Sequence, residues 1–276
     1  MKIQRVASKW AKTRALMTSA SLAPYIPDTR KYEFSTLQEM LGLYRTVYIK
    51  PDRGTYGAGV MRAEWRRITV SQSASSPSSN SGHEGVEERD LYLLRYGTST
   101  ETHSTVQTLH AAIQGRIRER LYLVQKGIDL LHSGGRPFDL RVLAQKNPEG
   151  FWETTGMLAR VAAPMKIVTN YHNGGRIRSV RPLLEEQMTG GEARDLRMRL
   201  EQLGVSFGRQ LEQSFPGIKE IGLDVAIDGR HDFWVLEVNT LPSLVVFKTF
   251  RDKSIYRRIR RYAIAYGRPG LGRSSR

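Results

Sequence analysis

Residues 221–239, Ile-Gly-Leu-Asp-Val-Ala-Ile-Asp-Gly-Arg-His-Asp-Phe-Trp-Val-Leu-Glu-Val-Asn, constrain this chain more than any other stretch. Two apolar runs flank Asp228-Gly229, a pair that marks a hairpin turn. With a four-residue loop at 229–232, Asp228 pairs with Phe233, and the ladder sets Asp224 opposite Glu237. Opposed residues share a sheet face, as do residues two apart on one strand. Asp224, Glu237 and Asn239 are therefore expected on one face, with Trp234, Leu236 and Val238 on the other. Two carboxylates side by side repel each other. A divalent cation such as Mg²⁺ resolves this, because Asp, Glu and an amide oxygen are hard ligands. An exposed face on which each acid meets an arginine resolves it equally well.

The 276 residues suffice for one large domain or two modest ones. A hydrophobic fraction of 39% and a charged fraction of 25% exclude wholesale disorder. The absence of cysteine removes disulfide scaffolds, Cys-ligated zinc, iron–sulfur clusters and thiol nucleophiles. No run approaches the ~18 apolar residues of a membrane span. The basic N-terminus, MKIQRVASKWAKTRALM, lacks the apolar core of a signal peptide, so a cytoplasmic location is expected. With 43 Lys+Arg against 27 Asp+Glu the net charge is +16, which raises a nucleic-acid reading. Residues 251–276 hold nine of those cations and one Asp, with Tyr256 and Tyr262 interleaved. A solvated, amphipathic helix followed by a disordered end explains that tail with no nucleic acid.

Residues 8–45 read as helical, with Ser35 and Gln38 in capping-box spacing. Val47–Ile49 form a short strand stopped at Lys50-Pro51, and a glycine loop, Gly54-Thr-Tyr-Gly57-Ala-Gly59, follows before a strand resumes at Val60. Residues 71–85 are low-complexity and polar, and read as a surface insertion in a hairpin. An amphipathic helix is expected over 104–120, strands over 121–124, 140–145 and 155–160, and a long helix over 191–215. Few helices and several antiparallel strands point to an α+β chain in two lobes divided near residue 126.

Lys50, ahead of the glycine loop, suits a phosphate contact, and Gly54, Gly57 and Gly59 let backbone N–H groups approach phosphate oxygens. A plain hairpin turn explains the same loop. Arg141 and Arg160 interrupt strands that otherwise read as buried; each needs an anion, either a phosphate or a carboxylate such as Asp139 or Glu153. Asn170-Tyr-His-Asn-Gly174-Gly175 is a polar glycine turn that suits ligand contact or a surface loop.

The order of these motifs resembles the ATP-grasp superfamily: Lys-Pro before a glycine loop, V-Q-x-x-I at 124–128, D-x-R at 139–141, a second strand arginine, N-x-x-x-G-G, then D…E-x-N. More narrowly, S-K-W at 8–10, V-Y-I-K-P at 47–51, Q-K-G-I-D-L at 125–130, R-P-F-D-L-R-V at 136–142 and E-V-N at 237–239 resemble its YheC/YheD-type, spore-coat-associated branch. The likeness covers roughly residues 8–266. It implies an ATP-grasp fold in which two α+β lobes enclose a nucleotide, the leading domain common in such enzymes being largely absent. An N-terminal lobe over 1–125, a C-terminal lobe over 126–266 and a basic tail over 267–276 are expected.

The resemblance also implies roles. Lys50 and Lys9 contact ATP phosphates beside Gly54, Gly57 and Gly59, and the segment Gln125, Lys126, Gly127, Ile128 holds the adenine edge. Asp224, Glu237 and Asn239 bind Mg²⁺, and Arg141 and Arg160 are the catalytic arginines that neutralise phosphate or an anionic substrate. Asn170, Gly174 and Gly175 lie by the substrate. The implied reaction is carboxylate activation to an acyl phosphate followed by amide formation with an amine, work done by positioning and charge neutralisation. A nucleotide-binding structural protein of the spore coat and a basic nucleic-acid binder are the alternatives. Gly222 stands where related ligases can carry arginine, two residues before the metal Asp.

Overall fold

The computed structural model describes residues 3–55, 57–71, 86–163 and 175–271. The chain forms two compact units. The larger comprises Met1–Thr29, Asp52–Ala58 and Ile128–Arg276; the smaller comprises Arg30–Pro51 and Gly59–Gly127.

The smaller unit is a six-stranded sheet with two helices. Its strands are β1 (Thr29–Lys31, which begins at the unit's edge), β2 (Thr46–Pro51), β3 (Met61–Ser71), β4 (Val86–Tyr96), β5 (Ser99–His103) and β6 (Tyr122–Lys126), in the spatial order β1-β6-β2-β3-β4-β5. Helices α2 (Phe34–Tyr44) and α3 (Val106–Ile117) cover one face. Val106, Leu109, Ile113 and Ile117, the stripe expected from their helical spacing, are buried with Leu37, Leu41, Val47, Ile49 and Val124. β3 and β4 pair antiparallel from Met61↔Tyr96 to Ser71↔Val86. The low-complexity segment thus connects two strands of one hairpin, though residues 72–85 themselves lie outside the described residues.

The region expected to be helical throughout 8–45 is interrupted. Helix α1 (Lys9–Met17) ends at a turn, and β1 precedes α2 because residues 29–31 pair in the sheet. Helix α2 starts one residue before the proposed capping box: Glu33 is its N-cap, without a side-chain cap. Extended pairing of the preceding segment, not Ser35, fixes where the helix begins.

The larger unit is built on an antiparallel sheet of β8 (Arg136–Lys146), β9 (Trp152–Val161), β10 (Arg176–Arg178), β11 (Glu220–Ile227) and β12 (Phe233–Asn239), ordered β10-β9-β8-β11-β12, with the two-residue β7 (His132–Ser133) against β8. One face carries α1, α4 (Val180–Leu184) and the long α5 (Gly190–Ser214). α5 starts at a capping box, Thr189 with Glu192, and buries Leu196, Leu200, Leu203, Phe207 and Leu211. Burial of side chains of that size contributes about 1.5–3 kcal/mol each.

The opposite face is divided. At one end Phe247 and α6 (Lys253–Ala265), through Ile259 and Ala263, cover Leu143 and Leu158. The segment after α6 is fastened there: Tyr266 Oη donates to Glu220 Oε2 at 2.5 Å, and the Arg268 guanidinium lies 2.6 Å from Glu220 Oε1. Arg268, read from sequence as part of a solvated tail, is thus paired with a fully buried acid. The other end of the face carries charge.

Candidate functional site

β11 is central in its sheet, and its alternation puts Leu223, Val225 and Ile227 into the core beside α5 and leaves Gly222 and Asp224 on the far face. On β8, Phe138, Leu140 and Val142 face the same core, so Asp139 and Arg141 face away with Asp224. On β9 the core positions are Ala159 and Val161, and Arg160 faces away. Register brings the row together: Asp224 is opposite Glu237 on β12 and opposite Arg141 on β8, and Asp139 is opposite Arg160.

The expected pairing of Asp224 with Glu237 is found. The rest of the hairpin differs by one residue. Asp224↔Glu237 is followed by Val225↔Val235, so Leu236 is an extra residue in a β-bulge, and Ile227, not Asp228, pairs with Phe233. A bulge shifts the alternation by one beyond it. Phe233, Val235 and Val238 therefore join the core, whereas Trp234 and Leu236 do not, contrary to the uniform alternation. The Trp234 indole N–H instead donates to Asp228 Oδ2 at 2.9 Å.

The side chains form a buried ionic network. Arg141 Nε donates to Asp224 Oδ1 at 2.6 Å, and an Arg160 guanidinium nitrogen lies 3.1 Å from Asp224 Oδ2. Arg160 also grips Asp139 with two donors, Nε to Oδ1 at 2.9 Å and a terminal nitrogen to Oδ2. Asp139, Asp224 and Arg160 are all below 8% exposed. Burial raises the Asp224 carboxyl, but Arg141 and Arg160 outweigh it and hold the group below the usual carboxylate range. Burial likewise opposes the Arg160 charge, and Asp139 and Asp224 reverse that, raising it above the ordinary arginine value. Of the two partners raised from sequence for Arg160, a carboxylate is present, Asp139.

Helix α1 brings a lysine to the same row. Ser8 caps it by accepting from Ala11 N–H at 3.0 Å, and donates to Asp52 Oδ1 at 2.9 Å. Asp52 also accepts from the backbone N–H groups of Trp10 and Lys9. So fixed, Lys9 places its ammonium 3.6 Å from Glu237 Oε1 and donates to the Gly54 carbonyl at 3.2 Å. Lys9, Gly54 and Glu237 are thus together. Gly222 is close-packed: a Cβ there would lie 2.8 Å from Pro242 Cβ and 3.2 Å from Arg141 Cδ. That is why no larger residue stands two positions before Asp224.

In the smaller unit, Lys50 Nζ donates to Gln125 Oε1 at 2.5 Å, a contact set by the pairing of β2 with β6. Lys126 Nζ lies 5.3 Å from the Tyr44 ring centre. Gly127 N–H donates to the Thr46 carbonyl, and a Cβ at Gly127 would sit 2.9 Å from that same oxygen. Gly59 has φ +77°, and a Cβ there would be 2.7 Å from Tyr122 Oη. Gly57, at φ 74°, and Ile128, which is buried, belong to the larger unit. Gly175 is buried just before β10, while Asn170 and Gly174 lie outside the described residues.

Among the described residues, no group of three His, Asp or Glu side chains is arranged to hold a metal. Asp224, Glu237 and Asn239 nonetheless suit a divalent cation in donor type and register, since Asn239 is opposite Gly222, next to the Asp224–Glu237 pair. Their charge is balanced here by Arg141, Arg160 and Lys9, so a cation at this point would take over part of that balance. Sequence reasoning did not single out Asp52 or Lys12. Asp52 reads only as a polar residue after Pro51, and Lys12 as one of many lysines on a basic N-terminus.

The sequence pattern of the YheC/D like ATP-grasp family matches residues 3–269. The chain is 25% identical over 242 residues to the endospore coat-associated protein YheD of Bacillus subtilis (strain 168), covering 87% of this chain and 49% of that one. It is 22% identical over 237 residues to the endospore coat-associated protein YheC of the same organism, covering 85% and 59%. The chain therefore spans about half the length of these relatives. Its fold is similar to that of the D-cycloserine synthetase DcsG, with a TM-score of 0.53 and 10% identity over 94% of this chain and 70% of that one. No helix among the described residues is long and apolar enough to cross a membrane.

Proposed function

Because the chain belongs to the YheC/D-like ATP-grasp family, we propose that it is an ATP- and Mg²⁺-dependent carboxylate–amine ligase associated with the spore coat. The observation that carries this reading is the row Glu237–Asp224–Arg141 across three adjacent strands, with Arg160 reaching Asp224 from a fourth. Such a row sets carboxylates, for a cation, beside guanidiniums, for an anion, at fixed spacing on rigid elements.

In this reading a substrate carboxylate takes the terminal phosphoryl group of ATP, releasing ADP. An amine then displaces phosphate from the acyl phosphate, the new C–N bond replacing the C–O bond to phosphate and the amine proton leaving to solvent. Arg141 and Arg160 neutralise the negative charge of the transferred group, held in orientation by Asp224 and Asp139. Lys9 and Lys50 meet phosphate oxygens, and the positive-φ glycines at 57 and 59 keep the loop backbone open to them. The stretch Gln125–Ile128 takes the adenine edge through backbone groups, and Gly175 and its neighbours meet the substrate. A magnesium ion held by Asp224, Glu237 and Asn239 would supply charge neutralisation of the phosphate chain.

A second reading is a coat protein that binds nucleotide without turnover. It is favoured by both Asp224 oxygens being engaged by guanidiniums, which a metal would have to displace. ADP release measured over a panel of amino acids and peptides, with the product analysed by mass spectrometry, separates the two. An amide product supports the ligase; nucleotide binding with no product over the whole panel overturns it.

A further inference from the structure

Lys12 lies on α1 one turn beyond Lys9 and is only 5% exposed. The other cations of the charged face have carboxylate partners: Lys9 has Glu237, Arg141 has Asp224, and Arg160 has Asp139 and Asp224. Lys12 has none within 4 Å among the described residues. The charged groups that act on it are Glu237 and Asp52, which favour its charge, and Lys9 and Arg5, which oppose it. A buried ammonium without a counter-ion is expensive, and burying a methionine or leucine there would cost nothing comparable. Its position follows from the same cap that places Lys9: Ser8 and Asp52 fix the start of α1, and α1 packs on α5 and β12.

We propose that Lys12 is a ligand-binding residue whose ammonium receives a terminal phosphoryl oxygen of the bound nucleotide beside Glu237. This rests on the ATP reading above and adds to it a phosphate ligand that the motif resemblance did not assign. A compact ammonium with three donors suits a phosphoryl oxygen, and the ligand brings the counter-charge that the protein withholds. Burial holds the Lys12 ammonium down at about 8, as an uncompensated site requires.

The test compares wild type with Lys12→Met, and with Lys12→Gln should the methionine variant fail to fold. Affinities for Mg²⁺ with ADP and for Mg²⁺ with β,γ-imido-ATP are measured by titration calorimetry, and melting temperature without ligand is recorded. The expected result is a melting temperature equal to or above wild type, a loss of at least tenfold in affinity for the triphosphate analogue, and a smaller loss for ADP. A purely structural lysine would instead lower the melting temperature and weaken both nucleotides alike. Unchanged analogue affinity in the variant overturns the inference, as does an equal loss for both nucleotides. Wild type that fails to bind either nucleotide overturns the ATP reading itself, and is seen in a separate arm.

Discussion

The Arg160 guanidinium lies 3.1 Å from Asp224 Oδ2 while it also holds both oxygens of Asp139. One arginine on β9 thereby ties β8 to β11 on the charged face of the larger unit. The network is buried, so its members depend on each other: removing one leaves the next as an unpaired charge out of water.

Replacing Asp224 by alanine is expected to destabilise the protein by about 3–5 kcal/mol, the range for breaking a buried pair from one side. Urea unfolding at neutral pH measures it. The double variant Asp224→Ala, Arg141→Met should recover part of the loss, because one stranded cation is gone. Additive losses would contradict the network.

The same pair sets an acid limit. The Asp224 carboxyl is lower in the folded protein than in the unfolded chain. Its contribution is complete above the ordinary aspartate value of ~3.9, and is lost as pH falls below that value through the depressed folded one. Urea midpoints between roughly pH 5 and pH 2 should therefore fall more steeply for wild type than for Asp224→Asn. Parallel curves would show that Asp224 carries no such linkage.

Gly222→Ala tests the close approach beside the site. The added Cβ would meet Pro242 at 2.8 Å and Arg141 Cδ at 3.2 Å. Overpacking of this kind costs about 1–3 kcal/mol. Nucleotide affinity is expected to fall as well, since Arg141 is the group displaced. A variant as stable as wild type would mean that Pro242 yields freely.

Lys12 makes a prediction of opposite sign in alkali. Its folded value of about 8 lies below the ordinary lysine value, so its buried charge destabilises the fold while both states are protonated. Lys12→Met should therefore be more stable than wild type at pH 7, by roughly 2–3 kcal/mol. The gap should close as pH rises from about 8 towards ~10.4, where the unfolded chain also loses the proton. The charged groups that act on Lys12 are Glu237 and Asp52, which favour its charge, and Lys9 and Arg5, which oppose it. A gap independent of pH would assign the difference to packing.

Much of this was legible in the residue pattern. The stripe of Leu196, Leu200, Leu203, Phe207 and Leu211 sufficed to place α5, whereas the turn at Asp228-Gly229 set Asp224 opposite Glu237 only because the bulge at Leu236 offsets a one-residue shift at the turn. The bulge at Leu236 was not legible, because a period of two has no local signal for one extra residue among apolar neighbours. β1 was hidden for a related reason: three residues, Thr29–Lys31, extend only because the sheet offers them a partner. The partner of Arg160 could not be chosen between a phosphate and a carboxylate, because only the β8–β9 register sets Asp139 directly opposite it. Lys12 carried no signal at all. Its burial depends on what α1 packs against, and that is a property of the folded unit.

The measurement that bears most directly on the account is titration calorimetry with Mg²⁺ and β,γ-imido-ATP on wild type, Lys50→Ala and Glu237→Gln. Lys50 and Glu237 are half-buried and lie outside the mutual hydrogen bonds of Asp139, Arg160 and Asp224, so both variants should fold. Saturable, magnesium-dependent binding by wild type, weakened at least tenfold in each variant, is the predicted result. Binding that is intact in both variants, or absent from wild type, would contradict it.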